Sequence, residues 1–281
     1  MPSNGKLGIF TFGYIIIGRA CRYGGQCGER CLRQGSAIIS RTLSPLKICP
    51  RSAKLLVANG DSMDRAFPNR AEAGRLLAEK LKKYAGRDDV IVLGLPRGGV
   101  PVAYEVARAL GVPLDVFVVR KLGVPGFEEL AAGAIASGGV RVLNEDVLRA
   151  LPNADEIIED VTAKEMAEVE RREQSYRDGR PAPELRDRVA ILVDDGLATG
   201  ATMRAAVKAL RQRGAAKIVV AVPVGPPDTC REFEDEADEI ICASAPEFFQ
   251  AVGQYYEDFS QTSDEEVREL LARAAQETND S

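Results

Sequence analysis

The chain has 281 residues, 28% of them charged, with a formal net charge of −5 and no histidine. That length fits one large α/β domain, or a domain with an extension, and the acidic balance points away from nucleic acid as a partner. The lack of histidine excludes Ser-His-Asp and Cys-His catalysis and every His-ligated metal site, so a general acid or base must be Asp, Glu, Lys, Tyr, Cys or the substrate itself.

Charge is unevenly placed. Residues 1–62 carry nine Lys or Arg against Glu29 and Asp61, and the remainder is acidic. The break near Met63 predicts an N-terminal extension over 1–62 outside the fold and one domain over 63–281. The apolar run "LGIFTFGYIIIG" (Leu7–Gly18) is too short to span a bilayer. It fits a signal-peptide core, and the acid-poor, Arg-bearing stretch after it fits a transit peptide. Cys21, Cys27, Cys31 and Cys49 lack the close paired spacing of a structural zinc site. Of the three readings, a disordered or over-extended terminus is favoured over targeting, and metal comes last; Met63 would then be a natural start. Beyond it only Cys230 and Cys242 remain, which predicts a reducing cytoplasm and no disulfide framework.

From Met63 onward the elements follow in order. "NRAEAGRLLAEKLKKY" starts with Asn69 and Glu72 in capping-box spacing, and Ala73, Leu76, Leu77, Leu81 and Tyr84 share one helical face. "VIVLGL" (Val90–Leu95) reads as a buried strand. "PRGG" follows, then a helix near Val100–Leu110, then a second strand over Leu114–Val119. "RKLGVPGFEELAAG" (Arg120–Gly133) is punctuated by Gly and Pro and reads as a loop. "AIASGGVRVL" (Ala134–Leu143) is a predicted hairpin turning at Gly138-Gly139, and a long charged helix covers about Ala154–Tyr176. "VAILV" (Val189–Val193), "KIVVAVPV" (Lys217–Val224) and "EIICA" (Glu239–Ala243) are three more strands with helices between them. Ser263 and Glu266 open a closing helix whose Val267, Leu270, Leu271 and Ala274 form one face, for packing or for a homodimer seam. Strands alternating with helices predict a parallel sheet covered on both faces, with ligands at the carboxyl ends of its strands.

At those ends lies "ILVDDGLATGAT" (Ile191–Thr202). Gly196, Ala198, Gly200 and Ala201 let a backbone approach an anion, Thr199 and Thr202 add hydroxyls, and the helix start behind them offers free N–H groups. It is neither a Walker loop nor a dinucleotide fingerprint. Asp194 and Asp195 would repel a phosphate, but suit sugar hydroxyls or a hydrated divalent cation. A ligand with a phosphate on one side and a diol on the other, such as ribose 5-phosphate, fits both halves. A plain strand end with an Asp helix cap is the bland alternative, and two adjacent acids before TGAT exceed it.

This stretch resembles the phosphoribosyl-diphosphate (PRPP) motif of the type I phosphoribosyltransferases. With "GLPRGGVPVA", "VVRKLGVPG", "ELAAGAIASGG" and "YEDFSQTSDEEV", residues of about 67–275 resemble bacterial members of unassigned substrate. The resemblance implies a central parallel sheet with helices on both faces, a small hood, and a flexible loop over the site. It implies that Asp194 and Asp195 hold the ribose hydroxyls, that Leu197–Thr202 wrap the 5-phosphate, and that Arg97, Gly98 and Gly99 meet the pyrophosphate. A cis peptide is implied at Pro96–Arg97, and Arg120 and Lys121 would add charge against the pyrophosphate. Mg²⁺ would be held mainly by PRPP, with Asp194 and Asp195 as protein carboxylates beside it.

Two positions depart from the pattern: Gly196 replaces the usual apolar residue, and Ala198 stands where 6-oxopurine enzymes carry an Asp. Glu128 or Glu129 in the mobile loop would then serve as the base, the alternative being surface charge. Phe248, Phe249, Tyr255, Tyr256 and Phe259 are candidates to stack on the acceptor, though packing is the favoured role. The implied reaction transfers the phosphoribosyl group to a nitrogen acceptor, nucleobase-like in chemistry, under a loop closing at Gly123–Gly133. The rivals are a PRPP-sensing regulator without turnover and a phosphoribosyl hydrolase.

Overall fold

The computed structural model describes residues 54–57, 66–151 and 153–279. In chain order the strands and helices are β1 (Lys54–Val57), α1 (Arg70–Leu81), β2 (Val90–Gly94), α2 (Gly99–Leu110), β3 (Leu114–Val116), β4 (Val119–Val124), β5 (Phe127–Ala136) and β6 (Val140–Leu143). There follow α3 (Glu145–Ala150), α4 (Ala154–Arg177), β7 (Val189–Val193), α5 (Ala201–Gln212), β8 (Lys217–Val224), α6 (Pro227–Glu232), β9 (Glu239–Ser244) and α7 (Asp264–Asn279). Six strands form a parallel sheet in the order β1-β9-β8-β7-β2-β3, and β4-β5-β6 form an antiparallel one.

Every residue of β2 and β7 is buried, as their unbroken apolar runs require of strands covered on both faces. The period of two sorts them. Ile91, Leu93, Ala190, Leu192, Ile218 and Val220 face the side covered by Met203, Ala206, Val207 and Leu210 of α5. Val90, Val92, Val189, Ile191 and Val219 face Leu77, Leu81, Val102 and Val106 of α1 and α2. Pairing of Gly94 with Val193 sets the ends of β2 and β7 level. The loops that follow these two strands therefore emerge side by side.

The caps expected from the sequence form in part. Asn69 Oδ1 accepts the Glu72 N–H at 3.0 Å, and Ser263 Oγ accepts that of Glu266 at 3.0 Å. The hairpin over 134–143 turns at Gly138 and Gly139, both with positive φ.

Four expectations are corrected. The stretch Arg120–Gly133 is not a loop: it supplies most of the β4–β5 hairpin, whose turn is at Pro125-Gly126. Its glycines punctuate without breaking the strand. A Cβ on Gly133 would meet Val142 O at 2.4 Å, so glycine there admits the neighbouring strand β6. The single strand read over Leu114–Val119 is divided, because Phe117 N still bonds Gly94 O while Val118 N turns to Ser137 Oγ. Lys54–Val57, placed by the sequence in the extension outside the fold, pair with Glu239–Cys242 as the sheet's edge strand. Cys230 and Cys242 form a disulfide: α6 folds back over the end of β8, bringing Cys230 to the adjacent strand β9.

The other N-terminal features, Leu7–Gly18 and Cys21, Cys27, Cys31 and Cys49, lie outside the described residues. The closing helix uses its apolar face within the chain. Val267 and Leu271 pack with Ile158, Val169 and Tyr176 of α4 and with Leu122 and Ile135 of the hairpin, so that face does not serve as a dimer seam. Among the described residues no helix is long and apolar enough to cross a membrane.

Candidate functional site

Two loops meet where β2 and β7 end. The Pro96–Arg97 peptide is cis, and Gly98 and Gly99 then lead into α2. Both glycines are required by proximity. A Cβ on Gly98 would lie 2.1 Å from Asp195 Oδ2, and one on Gly99 would lie 2.7 Å from Val193 O and 3.0 Å from Asp194 Oδ1. The "PRGG" turn is thus packed directly onto the acid pair.

Each carboxylate commits one oxygen to the protein. Asp194 Oδ1 accepts the Asp195 N–H at 2.9 Å, and Asp195 Oδ2 accepts from Arg70 Nε at 2.9 Å. Asp194 Oδ2 and Asp195 Oδ1 remain for a ligand. Burial, and then the neighbouring Asp195 charge, holds Asp194 well above the usual carboxylate range. Burial also raises Asp195, against the pull of the Arg70 guanidinium. Such a pair is poised to gain from hydroxyl donors or a cation.

The turn after the acids encloses a cavity where the sequence places the cradle. Lys121, Asp194, Gly196–Met203 and Val252 line a cavity of about 160 Å³. The first helical bond of α5 runs from Arg204 N to Gly200 O at 2.8 Å. The N–H groups of Ala201, Thr202 and Met203 precede it, at the positive end of the helix. Gly200 has φ of 71°, and a Cβ there would meet the Phe233 ring at 2.8 Å. The cradle backbone is braced from outside: Arg204 Nη1 donates to Thr199 O at 2.7 Å, and Thr229 Oγ1 to Ala198 O at 3.3 Å. Gly196 also has a reason. A Cβ there would stand 2.6 Å from Val252 Cγ1, so Val252 fills the space next to the second acid.

Not every predicted residue is brought in. Arg97 precedes the two glycines that touch the acids, and its own Nη1 lies 3.8 Å from Asp264 Oδ1. Lys121 borders the cavity. Arg120 does not, because successive side chains of β4 point to opposite faces; it pairs instead with Glu165 of α4 at 2.8 Å. Glu128 and Glu129 lie on β5, and their side chains fall outside the described residues. Of the aromatics, Phe249 stacks on Tyr255 with centroids 5.4 Å apart. Tyr256 packs between Phe67 and Phe259 and donates its hydroxyl to Asp195 O at 2.6 Å, while Phe248 is 90% exposed.

Arg70 is the site residue that sequence reasoning missed; Tyr256, a candidate to stack on the acceptor with packing favoured, packs and also binds the Asp195 carbonyl. Arg70 reads as one more charge at a helix start. Its partner Asp195 lies 125 residues away, and no local pattern links them.

Among the described residues no three His, Cys, Asp or Glu side chains gather as a metal cage. The two uncommitted oxygens of Asp194 and Asp195 nevertheless suit a hydrated Mg²⁺, which takes one or two carboxylates and completes its shell from phosphates and water.

Comparison with known proteins agrees with this geometry. The family model described as "Phosphoribosyl transferase domain" matches residues 65–260. A Mycobacterium tuberculosis H37Rv protein named "Putative phosphoribosyl transferase" is 51% identical over 210 residues, covering 75% of this chain and 47% of the relative. The chain therefore spans about half the length of that curated relative. A Clostridium acetobutylicum protein named "Bifunctional protein PyrR" is 30% identical over 146 residues, covering 52% of this chain and 62% of the relative. A crystal structure of a Thermus thermophilus protein superposes with a TM-score of 0.66 at 43% identity, covering 74% of this chain and 98% of that one.

Proposed function

The chain belongs to the phosphoribosyl transferase domain family, and from that premise we propose that it transfers the 5-phosphoribosyl group of PRPP to a nitrogen acceptor of nucleobase type, releasing pyrophosphate. The observation that carries this reading is the contact of the two loops that follow β2 and β7. One carries the acid pair and the phosphate-sized cradle at 197–202, whose cavity Asp194 also lines, and the "PRGG" turn of the other packs against both acids. Their order matches a ligand with a 5-phosphate, a vicinal diol and a pyrophosphate at C1.

In the proposed reaction the bond from C1 to the pyrophosphate oxygen breaks, and a bond from C1 to the acceptor nitrogen forms. The acceptor's proton, where one must leave, goes to solvent or to a base. Positive charge develops on the ribose ring, so positioning and electrostatics dominate and no protein nucleophile is needed. Ala201–Met203 N–H groups and Lys121 would hold the 5-phosphate, and Asp194 and Asp195 the hydroxyls. Arg97 would leave Asp264 for the pyrophosphate. Mg²⁺, when bound, would neutralise the leaving group. The β4–β5 hairpin, with Phe127 and Leu130 exposed near its tip, would take the part of the covering loop. A role in nucleotide metabolism and a cytoplasmic location belong to the same proposal. The Cys230–Cys242 bond weighs against the latter.

The test is to incubate the full chain with PRPP, Mg²⁺ and a panel of nucleobases and to measure pyrophosphate. Release that depends on a base supports the transferase. Release without one indicates a hydrolase, and tight PRPP binding without release a sensor.

A further inference from the structure

We propose that Arg70 is the positioning residue of the sugar subsite. It fixes the Asp195 carboxylate so that a single oxygen, Oδ1, faces the ligand, and it ties that carboxylate to the Phe259–Ser260 segment. The inference rests on the reading of Asp194 and Asp195 as the hydroxyl-binding pair.

Three contacts leave the guanidinium no freedom to turn. Nε donates to Asp195 Oδ2 at 2.9 Å, and Nη1 donates to Ser260 O at 2.7 Å. The guanidinium carbon lies 4.0 Å from the centroid of the Phe259 ring, a stacking that suits its flat, delocalised charge. The side chains of Arg70 and Asp195 are 12% and 15% exposed. Asp195 Oδ2 is closed off on its other side as well, since it lies 2.1 Å from where a Cβ on Gly98 would be. Walled by Arg70 and Gly98, this oxygen cannot serve a ligand. The backbone of Asp195 is held too, its carbonyl accepting from Tyr256 at 2.6 Å. Residues 256–260 thus grip the second acid twice, once through its main chain and once through Arg70.

The consequence is chemical. With Asp194 Oδ1 occupied by the Asp195 N–H, the pair offers one oxygen from each acid, an arrangement that matches two neighbouring hydroxyls. If Arg70 were absent, Asp195 could rotate and the match to a diol would fail, while the phosphate cradle would be untouched. Arg70 therefore governs recognition of the sugar, not of the phosphate.

Calorimetry on the full chain in Mg²⁺ separates these, using ribose 5-phosphate, 2-deoxyribose 5-phosphate and inorganic phosphate as probes. The wild-type protein is expected to prefer ribose 5-phosphate to both others. Arg70→Met should weaken ribose 5-phosphate by about tenfold, the scale of one charge-assisted hydrogen bond. It should leave inorganic phosphate unchanged and erase the ribose-over-deoxyribose preference; Arg70→Lys should restore part of that preference. Binding of ribose 5-phosphate unaltered in Arg70→Met, or an equal loss for all three probes, overturns the proposal. Should Arg70→Met not fold, Phe259→Leu carries the test. A loss confined to ribose 5-phosphate supports the proposal, and an unchanged ratio overturns it. A wild-type protein without preference for ribose 5-phosphate over inorganic phosphate removes the sugar-site reading itself, and this inference with it.

Discussion

Val252 stands where a side chain at position 196 would have to go: a Cβ on Gly196 would lie 2.6 Å from Val252 Cγ1 and 3.1 Å from Val224 O. The apolar group beside the second acid is thus supplied from a distant turn. Gly196→Ala alone should destabilise the protein by about 1–3 kcal/mol through overpacking. Val252→Ala should recover part of that loss in the double variant, because the two changes share one space. Thermal melting of the four proteins checks this, and strict additivity would show that the two positions do not compete.

Gly98 couples the acid pair to both fold and function. Its φ of −61° is ordinary for any residue, so Gly98→Ala adds no backbone strain, only a methyl group against Asp195 Oδ2. The expected outcome is a loss of PRPP affinity of about tenfold or more, on the scale of a displaced charged hydrogen-bonding group, together with a lower melting temperature, since the carboxylate must leave its bond to Arg70. Titration with PRPP and a melting curve on the same sample decide it.

The main frame of the molecule was legible in the sequence because it depends on local periodicity. The apolar runs at Val90–Gly94 and Val189–Val193 are strands for the reason that made them readable, burial on both faces. The cradle was legible because its small residues and hydroxyls are contiguous. The β4–β5 hairpin was not, since Pro125, Gly126 and Gly133 look alike as letters although two make a turn and one admits a neighbouring strand. Arg70 and Val252 were also hidden, as was the bond from Tyr256 to the Asp195 carbonyl. Each acts on the acid loop across a gap in sequence that only the sheet's register closes.

Asp194 predicts a pH-dependent trade between stability and binding. Burial and the Asp195 charge raise its pKa in the folded protein. A carboxyl raised in this way holds a proton that the unfolded chain has released, so stability falls as pH rises from about 4, the unfolded value, through the folded one. Asp194→Asn, which keeps the acceptor for the Asp195 N–H, should therefore melt higher than wild type at pH 8. The gap should close as pH approaches about 4. The same variant should lose PRPP binding. A gap independent of pH would mean that the Asp194 charge carries no folding cost.

On the other side of β2, α4 is fastened to β3 through a buried ion pair. Arg177 Nε lies 3.0 Å from Asp115 Oδ2, and its Nη1 2.9 Å from Glu173. Removing Asp115 leaves a guanidinium that is 8% exposed with Glu173 as its remaining carboxylate. Asp115→Ala should thus cost about 1–3 kcal/mol, the scale of a lost hydrogen bond to a charged group, whereas Arg177→Met combined with Asp115→Leu and Glu173→Gln should cost less. Urea unfolding of both variants distinguishes a pair that stabilises from one that is merely satisfied.

The edge strand β1 lies along the outer side of β9, so the border of the sheet is made by a stretch upstream of Met63. A chain begun at Met63 would leave the N–H and C=O row of Glu239–Cys242 open. An uncovered parallel strand is a template for a strand from another molecule. Lys54–Val57 thus cover that row and move the open border of the sheet to a strand of four residues, short enough to offer a partner little to pair with.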